Sequence, residues 1–220
     1  MAENKILIDD EEIFSSDEEG IENGDKRENT GNIKVIKSEL FDWLDVLVTA
    51  IVSVVLVFSF VFRVATISGP SMENTLHGNE RVIISNVGYE PKFGDIVVIS
   101  RNVDNSIEAE QESDLPIIKR VIATEGQKVD IDFESGIVYV DGKEVDSSFT
   151  KTPTNLKYDI DFPVIVDEGC VFVLGDNRND SLDSRSSRIG NNGMVDKRYI
   201  LGHAVFRIFP FDKIGGLSYK

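Results

Sequence analysis

One apolar run constrains this chain more than any other feature. Residues 46–62, VLVTAIVSVVLVFSFVF, contain no charged side chain, and further apolar residues flank the run. Its length is at the short end of what spans a bilayer, for which about 20 residues are typical. The run is too long for one strand of a small domain, and it starts too late for a cleaved signal peptide. A buried core helix is the alternative, but the sequence favours a transmembrane helix over residues 41–63.

The segment before this run is strongly acidic. Residues 1–43 carry 13 Asp and Glu residues against 5 Lys and Arg, which is half of the net charge of −16. Such a composition buries too little apolar surface to fold, and no useful periodicity is visible. We therefore predict a disordered acidic tail over residues 1–40. Lys34 and Lys37 before the span, against Arg63 after it, place this tail in the cytoplasm by a small margin.

Composition also limits the kind of chemistry that the chain supports. The negative charge argues against a nucleic-acid partner, because nucleic-acid binding needs a basic surface. The single cysteine, Cys170, excludes an intramolecular disulfide and a cysteine-based zinc site. His77 and His203 are the only histidines, which leaves few candidates for a metal centre or for a Ser-His-Asp triad. We expect no metal and no cofactor.

Beyond residue 63 the pattern changes to short apolar segments separated by turns, which predicts a mainly β domain over residues 64–220. Asp141-Gly142 between apolar pairs is a strong hairpin signal. The acidic stretch 104–114 is typical of a solvated loop. The predicted strands are residues 81–85, 95–100, 117–123, 129–133, 137–140, 164–166, 171–174 and 204–208.

Two segments of this domain contain residues suited to nucleophilic catalysis. In residues 67–76, ISGPSMENTL, Gly-Pro precedes Ser71 and favours an irregular turn that exposes the hydroxyl, although plain surface loops have the same pattern. Lys119 and Arg120 lie in an apolar strand and must point to opposite faces. Lys119 is therefore either buried, where desolvation lets a lysine act as a base, or on an edge strand that resists aggregation.

A third segment, residues 175–185 (GDNRNDSLDSR), is a polar cluster that directly follows an apolar strand. Its three Asp, two Arg and two Ser residues suit a network of charge-assisted hydrogen bonds that supports a site. Alternating Asp and Asn oxygens also suit a calcium loop. The segment lacks the glycine and glutamate spacing of an EF-hand, and its two arginines would repel a cation.

Taken together and in order, these motifs resemble the bacterial type I signal peptidases, the Ser/Lys-dyad leader peptidases of the S26 family. The C-terminal FRIFPFDKIG is similar to the family's ending, so the resemblance covers residues 46–220. The motifs are Ser71-Met72-Glu73-Asn74-Thr75-Leu76, Gly94-Asp95-Ile96-Val97, Lys119-Arg120-Val121-Ile122, and the segment from Gly175 to Arg185.

The resemblance implies a mainly β fold, with an antiparallel catalytic domain of the signal peptidase type after one transmembrane helix. The disordered acidic tail predicted from composition would precede both. It also implies a single-pass protein of the cell membrane, with its catalytic domain over residues 64–220 outside the cytoplasm. Such an enzyme is a membrane-anchored serine endopeptidase that cleaves signal peptides from exported preproteins after small residues. Its partners would be those preproteins and the lipid bilayer.

The resemblance further implies roles for individual residues. Ser71 corresponds to the nucleophile, Lys119 to its general base and Ser181 to the serine that orients the lysine. Asp183 and Arg185 correspond to a supporting salt bridge, Asp95 to a structural residue and Met72 to a residue packed beneath the nucleophile. The backbone N–H of Ser71 would help to bind the oxyanion. Some members have a serine two residues before the nucleophile as a second donor, but here that position is Gly69.

Three other functions are compatible with parts of the sequence. A Ser/Lys self-cleaving repressor would share the dyad but would carry a DNA-binding module instead of a membrane span. A calcium-stabilised adhesion module would use the polar cluster. A tethered β domain that binds a partner without catalysis would not need Ser71 and Lys119, and the presence of both argues against it.

Overall fold

The computed structural model describes residues 24–100 and 116–217, with side chains described from residue 41. The chain divides into two compact units, Met1–Val55 and Leu56–Lys220. Among the described residues there is one α-helix, α1, at Gly24–Val61, and the strands all follow it. The acidic stretch 104–114, predicted as a loop, lies outside the described residues.

Helix α1 contains the predicted span. Its window Phe41–Val61 has 21 residues, a mean hydropathy of 2.6 and no buried surface, so it is long and apolar enough to cross a bilayer. The helix starts at Gly24 and therefore includes residues 24–40 of the segment predicted as a tail. Once a helix has nucleated, each added residue gains one hydrogen bond, which favours such an extension. The predicted disorder of residues 1–23 lies outside the described residues.

The described part of the second unit is built from strands, three 3₁₀ helices and connecting turns. The 3₁₀ helices are Arg178–Asp180, Lys197–Tyr199 and Phe211–Lys213. The strands are β1 Phe62–Thr66, β2 Arg81–Ser85, β3 Ile96–Ile99, β4 Ile117–Thr124, β5 Lys128–Asp132, β6 Ile137–Val140, β7 Lys143–Glu144, β8 Val164–Ile165, β9 Cys170–Leu174, β10 Val195–Asp196, β11 Ile200–Phe209 and β12 Gly215–Gly216.

These strands form two antiparallel sheets. The first has the order β1-β2-β11-β3-β4-β9-β10, with β12 paired to β11, and the second has the order β7-β6-β5-β8. The predicted mainly β, antiparallel fold class is confirmed, and each predicted strand is present. The β6–β7 hairpin turns at Asp141 and Gly142, whose φ values of 51° and 75° are those that such a tight turn requires.

The burial patterns of the strands show where the core lies. β5 alternates between exposed and buried residues, as expected for a strand with one solvated face. β4 is buried without interruption from Ile118 to Ala123, because β3 and β9 flank it and apolar clusters cover both of its faces. The two charged residues of β4 therefore lie in the interior of the domain.

Candidate active site

The segment 67–76, here called the serine loop, leaves the first sheet directly after β1. Gly69 has a φ of +82°, a left-handed conformation that glycine adopts without steric cost. Met72 and Leu76 are fully buried and fix the loop to the core, and the Leu76 N–H donates to the Met72 carbonyl at 2.8 Å. Ser71 is half-buried in this loop, beside the buried Met72.

Lys119 reaches the serine loop from the middle of the first sheet. It is 4% exposed, and its strand β4 pairs with β3 on one side and β9 on the other, so the edge-strand interpretation is wrong. The Lys119 Nζ donates a hydrogen bond to the Ser71 Oγ at 2.9 Å. Burial of a lysine favours its neutral form, which is the form that accepts a proton. The structure thus brings the predicted nucleophile and base into direct contact.

Ser181 lies next to this pair but does not bond to it. Its Oγ is buried and has no hydrogen-bond partner within the described part of the chain, so its orientation of Lys119 stays a prediction. A Cβ on Gly175 would collide with the Ser181 Oγ and would lie only 2.6 Å from the Ser71 carbonyl oxygen. Gly175 therefore allows Ser181 and the serine loop to approach each other, a requirement that we did not predict.

Asp183 and Arg185 form the ion pair that the resemblance implies. Both side chains are fully buried, and the Arg185 Nε donates to Asp183 Oδ1 at 2.8 Å. The guanidinium also donates to the carbonyls of Leu156, Arg178 and Ser181, while Asp183 Oδ2 accepts from the Gly175 N–H at 3.0 Å. The pair holds the polar segment in one conformation.

A second buried ion pair was missed by the sequence analysis. The Arg120 Nε and Nη2 donate to the two Asp176 oxygens at 2.8 and 2.6 Å, and Nη1 donates to the Gly94 carbonyl at 2.6 Å. Thr75 of the serine loop donates to Asp176 at 2.5 Å and accepts from Arg120 at 3.1 Å. These residues lie within the quoted motifs, but no sequence signal indicates that they pair with one another.

The two carboxylates that a calcium loop would most need are thus engaged by arginines. Asp176 faces Arg120, and Asp183 faces Arg185. Residues 175–185 therefore form a network of charge-assisted hydrogen bonds, which was the alternative to a calcium loop.

Asn177 also holds the serine loop and was likewise missed. Its N–H donates to the Ser71 carbonyl at 3.0 Å, and its Nδ2 donates to the Pro70 carbonyl at 3.2 Å. Asn177 is only 5% exposed, so these bonds are shielded from water. They fix the two peptide groups on either side of Ser71, because the Pro70 carbonyl precedes the Ser71 nitrogen and the Ser71 carbonyl follows its Cα.

Asp95 has the structural environment that we expected. Its Oδ2 accepts from the Tyr89 hydroxyl at 2.9 Å and from the Lys92 N–H at 3.1 Å. Burial, together with the nearby Asp95 carboxylate, raises the pKa of Tyr89 above its usual range. Asp95 thereby closes the turn that leads into β3, away from the Ser71 hydroxyl.

Neither histidine is bonded to Ser71 within residues 41–100 and 116–217. His203 stacks on Tyr89 with ring centroids 4.0 Å apart, and its Nδ1 lies 2.9 Å from the Ser85 carbonyl. The His77 Nδ1 lies 3.7 Å from Glu80 Oε1. A Ser-His-Asp arrangement at Ser71 therefore has no support in the geometry.

An antiparallel β domain with a serine hydroxyl against a buried lysine amine defines a candidate serine hydrolase. Residues 40–209 match the family model described as signal peptidase, peptidase S26, and the chain belongs to this family. Membership makes the chain a serine endopeptidase, and the resemblance stated from its motifs is confirmed. The family's activity is the removal of signal peptides from preproteins.

Known relatives match over most of the chain. The signal peptidase I of Bacillus licheniformis is 33% identical over 188 residues, which are 81% of this chain and 93% of the relative. A probable signal peptidase I of Synechocystis sp. is 35% identical over 182 residues, covering 80% of this chain and 78% of the relative. A crystal structure of an Enterococcus faecalis signal peptidase I aligns at a TM-score of 0.38 with 24% identity, over 53% of this chain and 98% of that chain.

Proposed function

We propose that this chain is a membrane-anchored signal peptidase that cuts exported preproteins after small residues with a Ser71–Lys119 dyad. The observation that carries the proposal is the 2.9 Å hydrogen bond between the buried Lys119 Nζ and the Ser71 Oγ. Nucleophile and base must lie within hydrogen-bond reach of each other, and this pair does.

In the proposed reaction, the Ser71 Oγ attacks the scissile carbonyl carbon while the neutral Lys119 amine takes its proton. The resulting ammonium then protonates the leaving amine, which releases the mature protein and leaves an acyl-enzyme on Ser71. Lys119 next takes a proton from water, whose oxygen attacks the ester carbonyl. The bond to the Ser71 Oγ then breaks, Lys119 returns the proton to this oxygen, and the signal peptide leaves as a carboxylic acid. The buried position of Lys119 supports this role because desolvation disfavours the ammonium form.

The oxyanion of each tetrahedral intermediate needs hydrogen-bond donors, and we assign the backbone N–H of Ser71 as the main one. The Asn177 bonds to the Ser71 and Pro70 carbonyls would hold the loop that presents this N–H. Ser181 would orient the Lys119 amine when substrate excludes water, and Asp183 with Arg185 would hold the segment that carries Ser181.

We further propose that residues 41–63 anchor the protein in the cell membrane as a single span. The tail, residues 1–40, would lie in the cytoplasm and the catalytic domain, residues 64–220, outside it. The apolar window Phe41–Val61 supports the span, and the distribution of basic residues supports the orientation. The anchor would confine enzyme and preprotein to one bilayer surface, which raises their effective concentration.

The test is incubation of the detergent-solubilised full-length protein with a preprotein, followed by sequencing of the new N-terminus. Cleavage at the signal-peptide boundary, directly after a small residue, is the expected result. Ser71→Ala should abolish it, whereas His77→Ala, a matched control in the same region of the chain, should not. Cleavage that persists in Ser71→Ala would overturn the assignment of the nucleophile.

A further inference from the structure

A cavity of about 230 Å³ lies beside the second sheet, outside the Ser71–Lys119 site. Its walls come from the turn between β5 and β6, from β7 and from the segment 147–154. Five of its lining residues carry hydroxyl groups: Ser135, Ser147, Thr150, Thr152 and Thr154. The function proposed above does not use this cavity.

One wall of the cavity is the side chain of Arg178, a buried cation without an ionic partner. It is 3% exposed, and it donates to the Gly175 carbonyl at 3.0 Å and to Thr154 Oγ1 at 2.7 Å. No carboxylate within the described residues forms an ion pair with it, whereas Arg120 and Arg185 each have one. The two bonds use only two of its five N–H donors.

The surroundings of Arg178 disfavour its charge. Burial lowers the pKa of its guanidinium to about 10, against the opposing influence of Asp183 and Asp176. A buried charge without a partner is costly, so native proteins rarely keep one unless something supplies the counter-charge.

Thr152 lines the same cavity and has an unused hydroxyl. Its Oγ1 is buried and has no hydrogen-bond partner in the part of the chain that the structure describes. A buried hydroxyl without a hydrogen-bond partner costs about 1–3 kcal/mol of stability, and such groups are rare in native structures. Arg178 and Thr152 therefore both line one half-open cavity, and both have unused donors.

One wall of the cavity forms where the backbone at Gly136 lies close to Pro153 and Thr154. Gly136 has a φ of +73°, and a Cβ there would lie 2.5 Å from the Pro153 Cβ and 2.8 Å from the Thr154 nitrogen. The Thr154 N–H donates to the Gly136 carbonyl at 2.9 Å, and Thr154 is fully buried. Only glycine permits this contact, so the cavity exists before any ligand enters.

The other charged residues that line the cavity do not supply the missing counter-charge. Lys151 is a second cation, and its Nζ is paired with Glu73 at 2.6 Å. Glu144 is an anion, but its side chain is exposed and it has no ion pair with Arg178. Arg178 is thus the one buried charge among the described lining residues.

We propose that this cavity binds a small oxyanion, either a phosphate or a carboxylate, held by the Arg178 guanidinium and the Thr152 hydroxyl. An oxyanion supplies the counter-charge of Arg178 and accepts the unused donors, and guanidinium matches its geometry. A water molecule occupies about 30 Å³ of liquid, so the cavity has room for a group of four or five heavy atoms. The proposal does not depend on the proposed peptidase function.

The test is the melting temperature of the full-length protein in detergent, titrated with sodium phosphate or sodium acetate against sodium chloride of equal ionic strength. A ligand that binds the native state raises the melting temperature in a saturable way. A rise with phosphate alone identifies a phosphate site, and a rise with acetate identifies a carboxylate site. If neither anion exceeds chloride, the proposal is wrong.

Two substitutions locate the binding. Arg178→Met should abolish the anion-dependent rise, but it also removes the structural bond to Gly175 and the chain could fail to fold. Thr152→Val keeps the shape of the side chain and removes only the unpaired hydroxyl, so the variant should fold. Its affinity for the anion should be about tenfold lower. Thr66→Val, at an exposed position of β1, is the matched control and should change nothing.

The variant Lys151→Gln tests whether the anion binds in the cavity or at the exposed Lys151 side chain. If this variant loses the anion response while Thr152→Val retains it, the anion binds at the exposed lysine and the cavity proposal fails. If Lys151→Gln keeps the response and Thr152→Val loses affinity, the cavity is the site.

Discussion

Asp183 and Arg185 are two residues apart in the sequence, whereas Arg120 and Asp176 are 56 apart, and yet both are buried ion pairs near Ser71. Besides each other, the local pair bonds mainly to carbonyls and an N–H of residues 156–185, so it shapes one segment. The distant pair joins β4, the Gly94 turn and Thr75 of the serine loop. The comparison indicates that a short-range pair stabilises a loop, while a long-range pair determines how reactive groups from different strands meet.

The largest loss of activity should come from substitution of Lys119 or Ser71, the proposed dyad. Lys119→Ala should lower kcat by about 10³-fold or more, because the Ser71 hydroxyl then has no base. Ser71→Ala should do the same, and the double variant should be hardly worse than either single one, since groups that act as a unit are lost together. Steady-state cleavage of a preprotein measures these losses. If Lys119→Ala kept a tenth of the activity, the assignment of Lys119 as the general base would be wrong.

The next largest loss of kcat should distinguish the two ion pairs from each other. Asp176→Asn should lower kcat by about 10²-fold because the link to the serine loop is weakened and the reacting atoms lose alignment. Asp183→Asn should lower kcat less than about tenfold, although breaking either buried pair costs about 3–5 kcal/mol of stability. Melting temperatures and kcat, both measured well below the transition, check this. Equal losses of kcat would abolish the distinction between the pairs.

The pH dependence of cleavage tests Lys119 as the base. Only the neutral amine accepts the Ser71 proton, so the rate should rise with pH as the Lys119 amine loses its proton. At pH values below this rise the rate should fall about tenfold per pH unit. A histidine base would place the rise near 6.5, the ordinary pKa of an imidazole. Profiles of kcat from pH 5 to 10 decide this, with His77→Ala as the control that should leave the curve in place.

The smallest effect should come from Ser68, which neither pair contacts. Its side chain is exposed, and it lies one residue before Gly69, the family's position for a second oxyanion donor. We expect Ser68→Ala to lower turnover less than about tenfold, whereas loss of a true oxyanion donor costs about 10²–10³. The measurement requires protein whose melting temperature matches that of the unaltered chain. A hundredfold drop would make Ser68 part of the oxyanion hole.

The sequence predicted those features that depend on neighbours along the chain. Eight strands follow from apolar runs and turn residues, namely β2, β3, β4, β5, β6, β8, β9 and β11, and the β6–β7 hairpin follows from Asp141-Gly142. β7, β10 and β12 have two residues each, as β8 does, but unlike β8 they do not lie in an apolar run that predicts a strand. β1 was not predicted, because its apolar residues continue those of the helix that ends at Val61.

Features that depend on distant pairing were not predictable in the same way. The Ser71–Lys119 contact was reached through the resemblance, since a serine and a lysine 48 residues apart carry no joint signal. Whether β4 lay at an edge depended on the sheet order, which alternation alone does not fix. The Arg120–Asp176 pair and the cavity at Arg178 were missed for the same reason, because each joins segments that only the tertiary fold brings together.

The position of β11 has a consequence for how the domain folds. In the first sheet, β11 lies between β2, which follows the serine loop, and β3, which pairs with the strand that carries Lys119. β2 ends at Ser85 and β3 at Ile99, whereas β11 spans Ile200–Phe209. Strand pairings that are distant along the chain form late, because closing a long loop costs entropy. We therefore expect the contact between Ser71 and Lys119 to form in one of the last folding steps, after β11 has been inserted between its two neighbours.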